Sequence, residues 1–285
     1  MAEKNYGKSI RTKLLNISKA EKLGYQLILT RYIQERLLYR LSQSRFREKL
    51  FLKGGALLYA HEQFRARPTL DIDFLGDKIS REKEFVKMAF EEVSSITCPE
   101  DGVIFDVESL SAEEITVNKE YHGIRLHVTA HLDTIRQVIS MDIGFGDVIT
   151  PEPEKLDYPT LLKDIPAVNI MAYSLETVVA EKFHAMIDLA EENSRMKDFF
   201  DVYRILESGK IDEEMLQKAI TATFANRETN YKPDHILFTK EFAEDPARMA
   251  FWKGFLRKIK FTRDLPFDMV INLIKERLQQ YWEKL

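Results

Sequence analysis

The sequence predicts an α+β chain in two parts. A small mixed sheet with flanking helices occupies residues 1–165, and a helical domain follows over 166–285. Three observations predict this. Short alternating apolar segments are interleaved with helical stretches between residues 50 and 96. Residues 103–150 read as strands, and from 166 onward the apolar positions recur at helical spacing almost to the C-terminus.

Each element has its own justification. From Tyr25 the positions Tyr25, Ile28, Leu29, Tyr32, Ile33 and Leu37 recur at helical spacing and predict a long amphipathic helix. Leu50-Phe51-Leu52 reads as a short strand running into Lys53-Gly54-Gly55, after which Ala56 to Phe64 returns to helix. Leu70 to Leu75 alternates as a strand, and Ser80 is placed to cap a helix carrying Phe85, Ala89, Val93 and Ile96 on one face. Ile124, Leu126 and Val128 alternate with basic residues and His127, and Val138 to Phe145 reads as a strand a short turn later, so the two predict antiparallel neighbours. Pro151, Pro153, Pro159 and Pro166 then cluster and mark a linker or a surface loop. Beyond them Val178, Val179, Phe183 and Met186 form one helical stripe, and Leu273, Ile274, Leu278 and Tyr281 another. There is no internal repeat and no low-complexity tract.

Composition narrows the class. A chain of 285 residues with 45% hydrophobic content can bury a sizeable core and is not a disordered sequence. Its one cysteine, Cys98, excludes an intramolecular disulfide and a Cys-built zinc site and points to a reducing compartment. The charged start has no apolar leader, and no apolar run approaches the ~20 residues that span a bilayer. The expectation is a cytoplasmic protein with no membrane partner. The net charge of −4 hides an asymmetry: residues 1–53 carry 13 Lys/Arg against 4 Asp/Glu, and residues 54–165 carry 11 against 22. A basic N-terminal stretch can face a polyanion such as RNA, or it can pair with the acidic middle of its own chain.

The carboxylates carry the functional argument. In Asp71-Ile72-Asp73-Phe74 the strand period puts Asp71 and Asp73 on one face and Ile72 and Phe74 on the other. Two carboxylates about 6 Å apart repel by roughly 3 kcal/mol at an effective dielectric near 20. A strand that keeps them needs a cation nearby, either bound or supplied by residues such as Arg65 and Arg67. Sixteen residues before Asp71 lies Gly55, in a strand–Gly-Gly–helix turn. Such a turn lets the backbone approach a ligand and presents the helix N-terminus to phosphate. Met141-Asp142-Ile143 places a third carboxylate between apolar neighbours in another strand. If that strand lies beside Leu70–Leu75, the cluster suits two Mg²⁺ (or Mn²⁺) ions bridged by carboxylates and substrate phosphates.

This order of motifs resembles the nucleotidyltransferase superfamily of the polymerase-β type. The fuller strings Phe51-Leu-Lys-Gly-Gly-Ala-Leu-Leu and Arg67-Pro-Thr-Leu-Asp71-Ile-Asp73-Phe are similar, more specifically, to the AbiEii/AbiGii toxin branch. Two later segments extend the likeness. Tyr173-Ser-Leu-Glu-Thr-Val-Val-Ala-Glu-Lys182-Phe-His-Ala resembles the branch's Glu-Lys-Leu-x-Ala helix. Arg195-Met-Lys-Asp198-Phe-Phe-Asp201-Val-Tyr resembles its Arg-Asp-x-x-Asp-Leu segment. The likeness covers roughly residues 50 to 207 and weakens in the helical tail. The chain departs from the pattern in three places. Gly55 replaces a serine frequent in the superfamily, Thr69 keeps the hydroxyl of the branch's serine, and Lys197 stands where arginine is usual.

The resemblance implies a polymerase-β-like nucleotidyltransferase domain followed by a helical domain. It further implies a toxin of a toxin–antitoxin or abortive-infection pair, acting on the acceptor end of tRNA, with a winged-helix antitoxin as partner. It assigns metal binding to Asp71, Asp73 and Asp142, with Asp142 nearer the attacking hydroxyl. Nucleotide binding falls to Lys53, Gly54, Gly55, Thr69, Lys182, Asp198 and Asp201, and Lys182 joins the three aspartates in catalysis. The residues themselves leave alternatives open. Lys182 lies on the apolar stripe Leu175-Val179-Lys182-Met186, where a charge is costly unless paired, so it is either a phosphate ligand or a snorkelling stem. Asp198 and Asp201 are i, i+3 neighbours on a helix, and either orient Lys182 or the nucleotide, or are helix-surface charge. Phe251, Trp252 and Phe255 have core spacing, although aromatics among lysines can stack bases. His61, His122, His127, His131 and His184 have no metal-triad spacing, and serine-nucleophile and P-loop strings are absent. A non-catalytic RNA- or partner-binding protein, or a nucleotidyltransferase acting on a small molecule, is compatible with the same motifs.

Overall fold

The strands between residues 50 and 172, which run past the expected boundary at 165, assemble one seven-stranded mixed sheet in the order β3-β4-β5-β2-β1-β7-β6. The computed structural model describes residues 6–118 and 121–285. The strands are β1 (Leu50–Lys53), β2 (Asp71–Gly76), β3 (Val103–Asn118), β4 (Tyr121–Leu132), β5 (Ile135–Phe145), β6 (Glu154–Tyr158) and β7 (Val168–Ala172). Two pairings are parallel, β2 with β5 and β1 with β7, and the others are antiparallel. The helices of this unit are α1 (Tyr6–Ala20), α2 (Tyr25–Gln43), α3 (Gly54–Glu62) and α4 (Lys83–Ser95). The unit comprises Met1–Gly146 and Glu154–Ala172.

The pleat decides which sheet face is core. Ile72 pairs with Met141 and Phe74 with Ile143, and all four are fully buried. The Phe90 ring of α4 packs 6.0 Å from that of Phe74, and Gln137, on the same face of β5, donates to Thr30 of α2. The helices α2 and α4 therefore cover the apolar face, which leaves Asp71, Asp73 and Asp142 on the opposite one.

The basic α2 is mostly internal. Arg31, Arg36 and Arg40 are buried: Arg31 donates to the Ala66 carbonyl and lies 4.4 Å over the Tyr59 ring, and Arg36 pairs with Glu35 at 2.6 Å and donates to the Pro166 carbonyl. Arg40 pairs with the fully buried Asp101 and donates to the Val103 carbonyl. Burial pushes the Glu35 carboxyl up to about 7, against the opposing pull of Arg36 and of the Leu161 N–H. Further out, Arg11 pairs with Asp133, Lys13 with Asp164 and Arg45 with Glu92. Four of the N-terminal cations, Arg11, Lys13, Arg40 and Arg45, are thus paired with carboxylates of the acidic middle.

The second unit, Asp147–Pro153 and Tyr173–Leu285, holds α5 (Leu175–Leu189), α6 (Met196–Glu207), α7 (Glu213–Asn226), α8 (Lys240–Ala243), α9 (Pro246–Lys258) and α10 (Phe267–Trp282). The Ser174, Asp212, Thr239 and Asp245 side chains accept first-turn N–H groups and fix four of these starts. The core is aromatic, with Phe183, Phe199, Phe200, Phe224, Phe242, Trp252, Phe267 and Trp282 all buried. The Trp252 ring packs tilted and the Phe255 ring edge-on against Phe200, as core spacing implies, whereas Phe251 is exposed. Here His184 is buried and kept neutral. Burial first, then the Arg227 charge, lowers its pKa to about 4. Arg227 donates to His184 Nδ1 at 3.2 Å, so the ring proton resides on Nε2 and donates to Thr229 at 2.8 Å.

Several local expectations need correction. Ser80 does not cap α4: its hydroxyl accepts the Glu82 N–H in a local turn, and the helix starts at Lys83 without a side-chain cap. The buried stripe of α4 is Val86, Ala89, Phe90 and Val93, with Phe85 and Ile96 only half-buried. The proline-rich stretch is not simply loop, because β6 and β7 form within and just after it.

Candidate active site

Strand register builds the polar face residue by residue. In one row across four strands stand Lys53 on β1, Asp73 on β2, Asp142 on β5 and Arg125 on β4. In the adjacent row Asp71 lies beside Ser140, which lies beside His127. Asp71 and Asp73 are half-buried while Ile72 between them is fully buried, as a period of two requires. The expected adjacency of the Asp142 strand and the Asp71–Asp73 strand is present, in parallel register.

The Gly-Gly turn has a specific steric reason. Gly54 opens α3 at φ +67°, a backbone conformation that disfavours any side chain. A Cβ there would fall 2.0 Å from Asp73 Oδ2, and one on Gly55 would fall 2.8 Å from Thr69 Oγ1. The missing side chains thus let Asp73 and Thr69 close on the N-terminus of α3, whose dipole favours negative charge. Lys53 is the residue before the helix, and its Nζ lies 3.9 Å from where a Cβ on Gly144 would stand, which carries the ammonium across β2 toward β5.

One residue of this face was not singled out by the motifs. Arg125 grips Asp142 with a two-pronged hydrogen bond, Nε to Oδ1 at 2.8 Å and Nη2 to Oδ2 at 2.7 Å. The Asp142 bond holds the guanidinium pKa above its usual value despite partial burial, with further attraction from Asp142, Asp71 and Glu113. Alternation along β4 placed Arg125 on the polar side. Its partner follows only from the β4–β5 register. His127 donates to or accepts from Ser140 at 2.9 Å beside it. The His122 side chain lies outside the described residues.

The donor set is that of a hard divalent cation: three carboxylates on one half-exposed face, with no sulfur or converging imidazole. As folded, however, Asp142 is turned to Arg125. Among the described residues no group of three or more His, Cys, Asp or Glu side chains converges to hold a metal ion.

The other predicted residues meet within the helical unit. Lys182 on α5 contacts Asp198 at 2.5 Å and Asp201 at 2.9 Å, both on α6, and Arg195 adds a second cation to Asp198 at 2.7 Å. Asp198 and Asp201 are almost completely buried, and the Lys182 side chain is 14% exposed. Burial pushes the Asp198 carboxyl up, but Lys182 and Arg195 outweigh it and hold the pKa below the ordinary carboxylate value. Both aspartates therefore pair with Lys182, and both are buried rather than on the helix surface.

Solved structures and a family model are similar to this chain. JHP933 from Helicobacter pylori superimposes with a TM-score of 0.50 at 15% identity, covering 92% of this chain and 94% of that one. An antigenic nucleotidyltransferase-like protein from Paracoccidioides brasiliensis aligns at a TM-score of 0.38 and 11% identity, over 87% of this chain and 91% of that one. No curated protein matches the sequence. No helix among the described residues is long and apolar enough to cross a membrane. The family described as nucleotidyl transferase AbiEii toxin, type IV toxin–antitoxin system, matches residues 36–283, so that the carboxylate strands, the Gly-Gly turn and the Lys182 helix all fall inside the match. The chain belongs to the AbiEii nucleotidyltransferase toxin family.

Proposed function

We propose that this nucleotidyltransferase moves a nucleoside monophosphate from a nucleoside triphosphate to an acceptor hydroxyl on tRNA, releasing pyrophosphate, as the toxin of a pair with a winged-helix antitoxin. The observation that carries the reading is the register that sets Asp71, Asp73 and Asp142 on one sheet face beside the Gly54–Gly55 turn. Family membership supports the toxin pairing.

The residues divide the work. Asp71, Asp73 and Asp142 would hold Mg²⁺ or Mn²⁺, which when bound supplies charge neutralisation for the triphosphate and a lower pKa for the attacking hydroxyl. Asp142 is the carboxylate assigned to accept the acceptor's proton. Lys53, Thr69 and the backbone of Gly54 and Gly55, at the positive end of α3, bind phosphate oxygens. Lys182 is assigned to the triphosphate charge, and Asp198 and Asp201 fix its ammonium in one position.

The test incubates the protein with each α-³²P nucleoside triphosphate, Mg²⁺ and total tRNA, beside an Asp71→Ala/Asp73→Ala control. Label on tRNA that vanishes in the control is the expected result. Label on a small acceptor, without RNA dependence, would replace tRNA by a small-molecule substrate. Absence of both transfer and magnesium-dependent nucleotide binding would overturn the catalytic reading in favour of a binding protein on the same fold.

A further inference from the structure

Carboxylates side by side on a half-exposed face repel, and the sheet itself sets a cation at each end of their row. The row reads cation, carboxylate, carboxylate, cation from Lys53 through Asp73 and Asp142 to Arg125. At its β4 end both oxygens of Asp142 are engaged by one guanidinium. The planar fork of arginine matches a carboxylate in this two-bond geometry and fixes its orientation, which a lysine cannot do. Asp142 is only 21% exposed and Arg125 37%, so the pair is partly shielded while the arginine keeps a route to solvent. The fork also explains why three carboxylates share a face without converging: one is turned away toward β4.

We infer that Arg125 is the resident counter-ion of Asp142. It clamps the carboxylate against β4, and a divalent cation that takes Asp142 as a ligand must displace the clamp. Metal binding and release of Arg125 are then one coupled equilibrium, and Arg125 acts as a positioning residue through Asp142. This rests on the proposed metal role of the three aspartates. A merely structural ion pair would leave cation affinity unmoved when Arg125 is changed.

The test titrates the nucleotide-free protein with Mn²⁺ and reads free ion by electron paramagnetic resonance, so that no catalytic activity enters. Arg125→Gln removes the fork and a nearby positive charge, and should tighten Mn²⁺ roughly three- to tenfold. Arg125→Lys keeps the charge without the fork and should fall between Arg125→Gln and the wild type. In an Asp142→Asn background the Arg125→Gln effect should disappear. Circular dichroism and thermal melts confirm that each variant is folded. In the wild type, the Arg125 Nε–H resonance, assigned by its absence in Arg125→Lys, should shift as Mg²⁺ is added, and this needs no variant to bind metal. Unchanged or weaker Mn²⁺ binding in Arg125→Gln overturns the counter-ion, provided that Asp71→Asn still abolishes binding. If Asp71→Asn binds Mn²⁺ as the wild type does, the carboxylate reading itself fails, and the counter-ion falls with it.

Discussion

Two clusters in this protein pair aspartates with a cation, and they do so in opposite ways. On the sheet, Asp71 and Asp73 stand two residues apart on a strand and share a half-exposed face with Asp142, which one arginine holds from the next strand. In the helical unit, Asp198 and Asp201 stand three apart on α6, almost fully buried, and converge on a single lysine. Backbone period delivers paired carboxylates in both places. Burial decides what the pair can do. A buried pair must be neutralised by its own chain, because an uncompensated charge there is untenable. A half-exposed pair keeps part of its solvation and does not need complete compensation from its own chain.

Breaking each cluster in turn should separate stability from activity. The largest effect is expected from Lys182→Ala, which takes from two buried carboxylates the ammonium that both contact. It should cost about 3–5 kcal/mol in urea unfolding. Lys182→Met preserves the stem volume and should cost nearly as much, because the charge is what matters. Asp71→Asn belongs to the other cluster and should behave inversely. Nucleotidyl transfer should fall on the order of 10²–10³-fold, while stability stays within about 1 kcal/mol of wild type, since a repulsion is relieved. A large loss of stability in Asp71→Asn would erase the contrast between the two clusters.

Acid sharpens the comparison further. His184 has a folded pKa lowered from 6.5 to about 4, so the unfolded chain binds a proton that the folded chain refuses. Stability from this residue is complete above pH 6.5 and is lost as pH falls toward 4, by roughly 2–3 kcal/mol. Urea midpoints measured between pH 7 and pH 4.5 should drop more for the wild type than for His184→Gln. The Asp198 pKa is also lowered, but from 3.8, so its contribution is present above pH 3.8 and is lost only at more acidic pH. The smallest pH-dependent change should come from Asp198→Asn: its deficit relative to wild type should be constant from pH 7 to 5 and shrink as pH falls below 3.8.

Much of the site was legible because it is local. The Asp-x-Asp alternation, the Gly-Gly turn and the i, i+3 aspartates are each set by backbone period or a steric requirement within a few residues, and each stands as the sequence implied. The partners of those residues were less legible. Arg125 was one of several basic residues on an alternating strand, and only pairing of β4 with β5 made it the partner of Asp142. The five-residue strands β6 and β7 escaped because they are too short for a periodic signal, and β7 finds its partner β1 more than a hundred residues away. Ser80 looked like a cap because cap and turn hydroxyls have the same local pattern, and backbone geometry chooses between them.

The sequence by itself determined the α+β class, the three carboxylates of the sheet, the glycine turn beside them and the charged residue inside an apolar helix stripe. Those are consequences of period and residue chemistry, which act over one or two turns of chain. Only the tertiary structure decided where the charge went. Arg31, Arg36 and Arg40 were drawn inward to carbonyls and to Asp101, Lys182 was closed by two buried aspartates, and Asp142 was given to Arg125. Long-range register and burial make those assignments, because a charge taken out of water must find its partner wherever the fold brings one within reach.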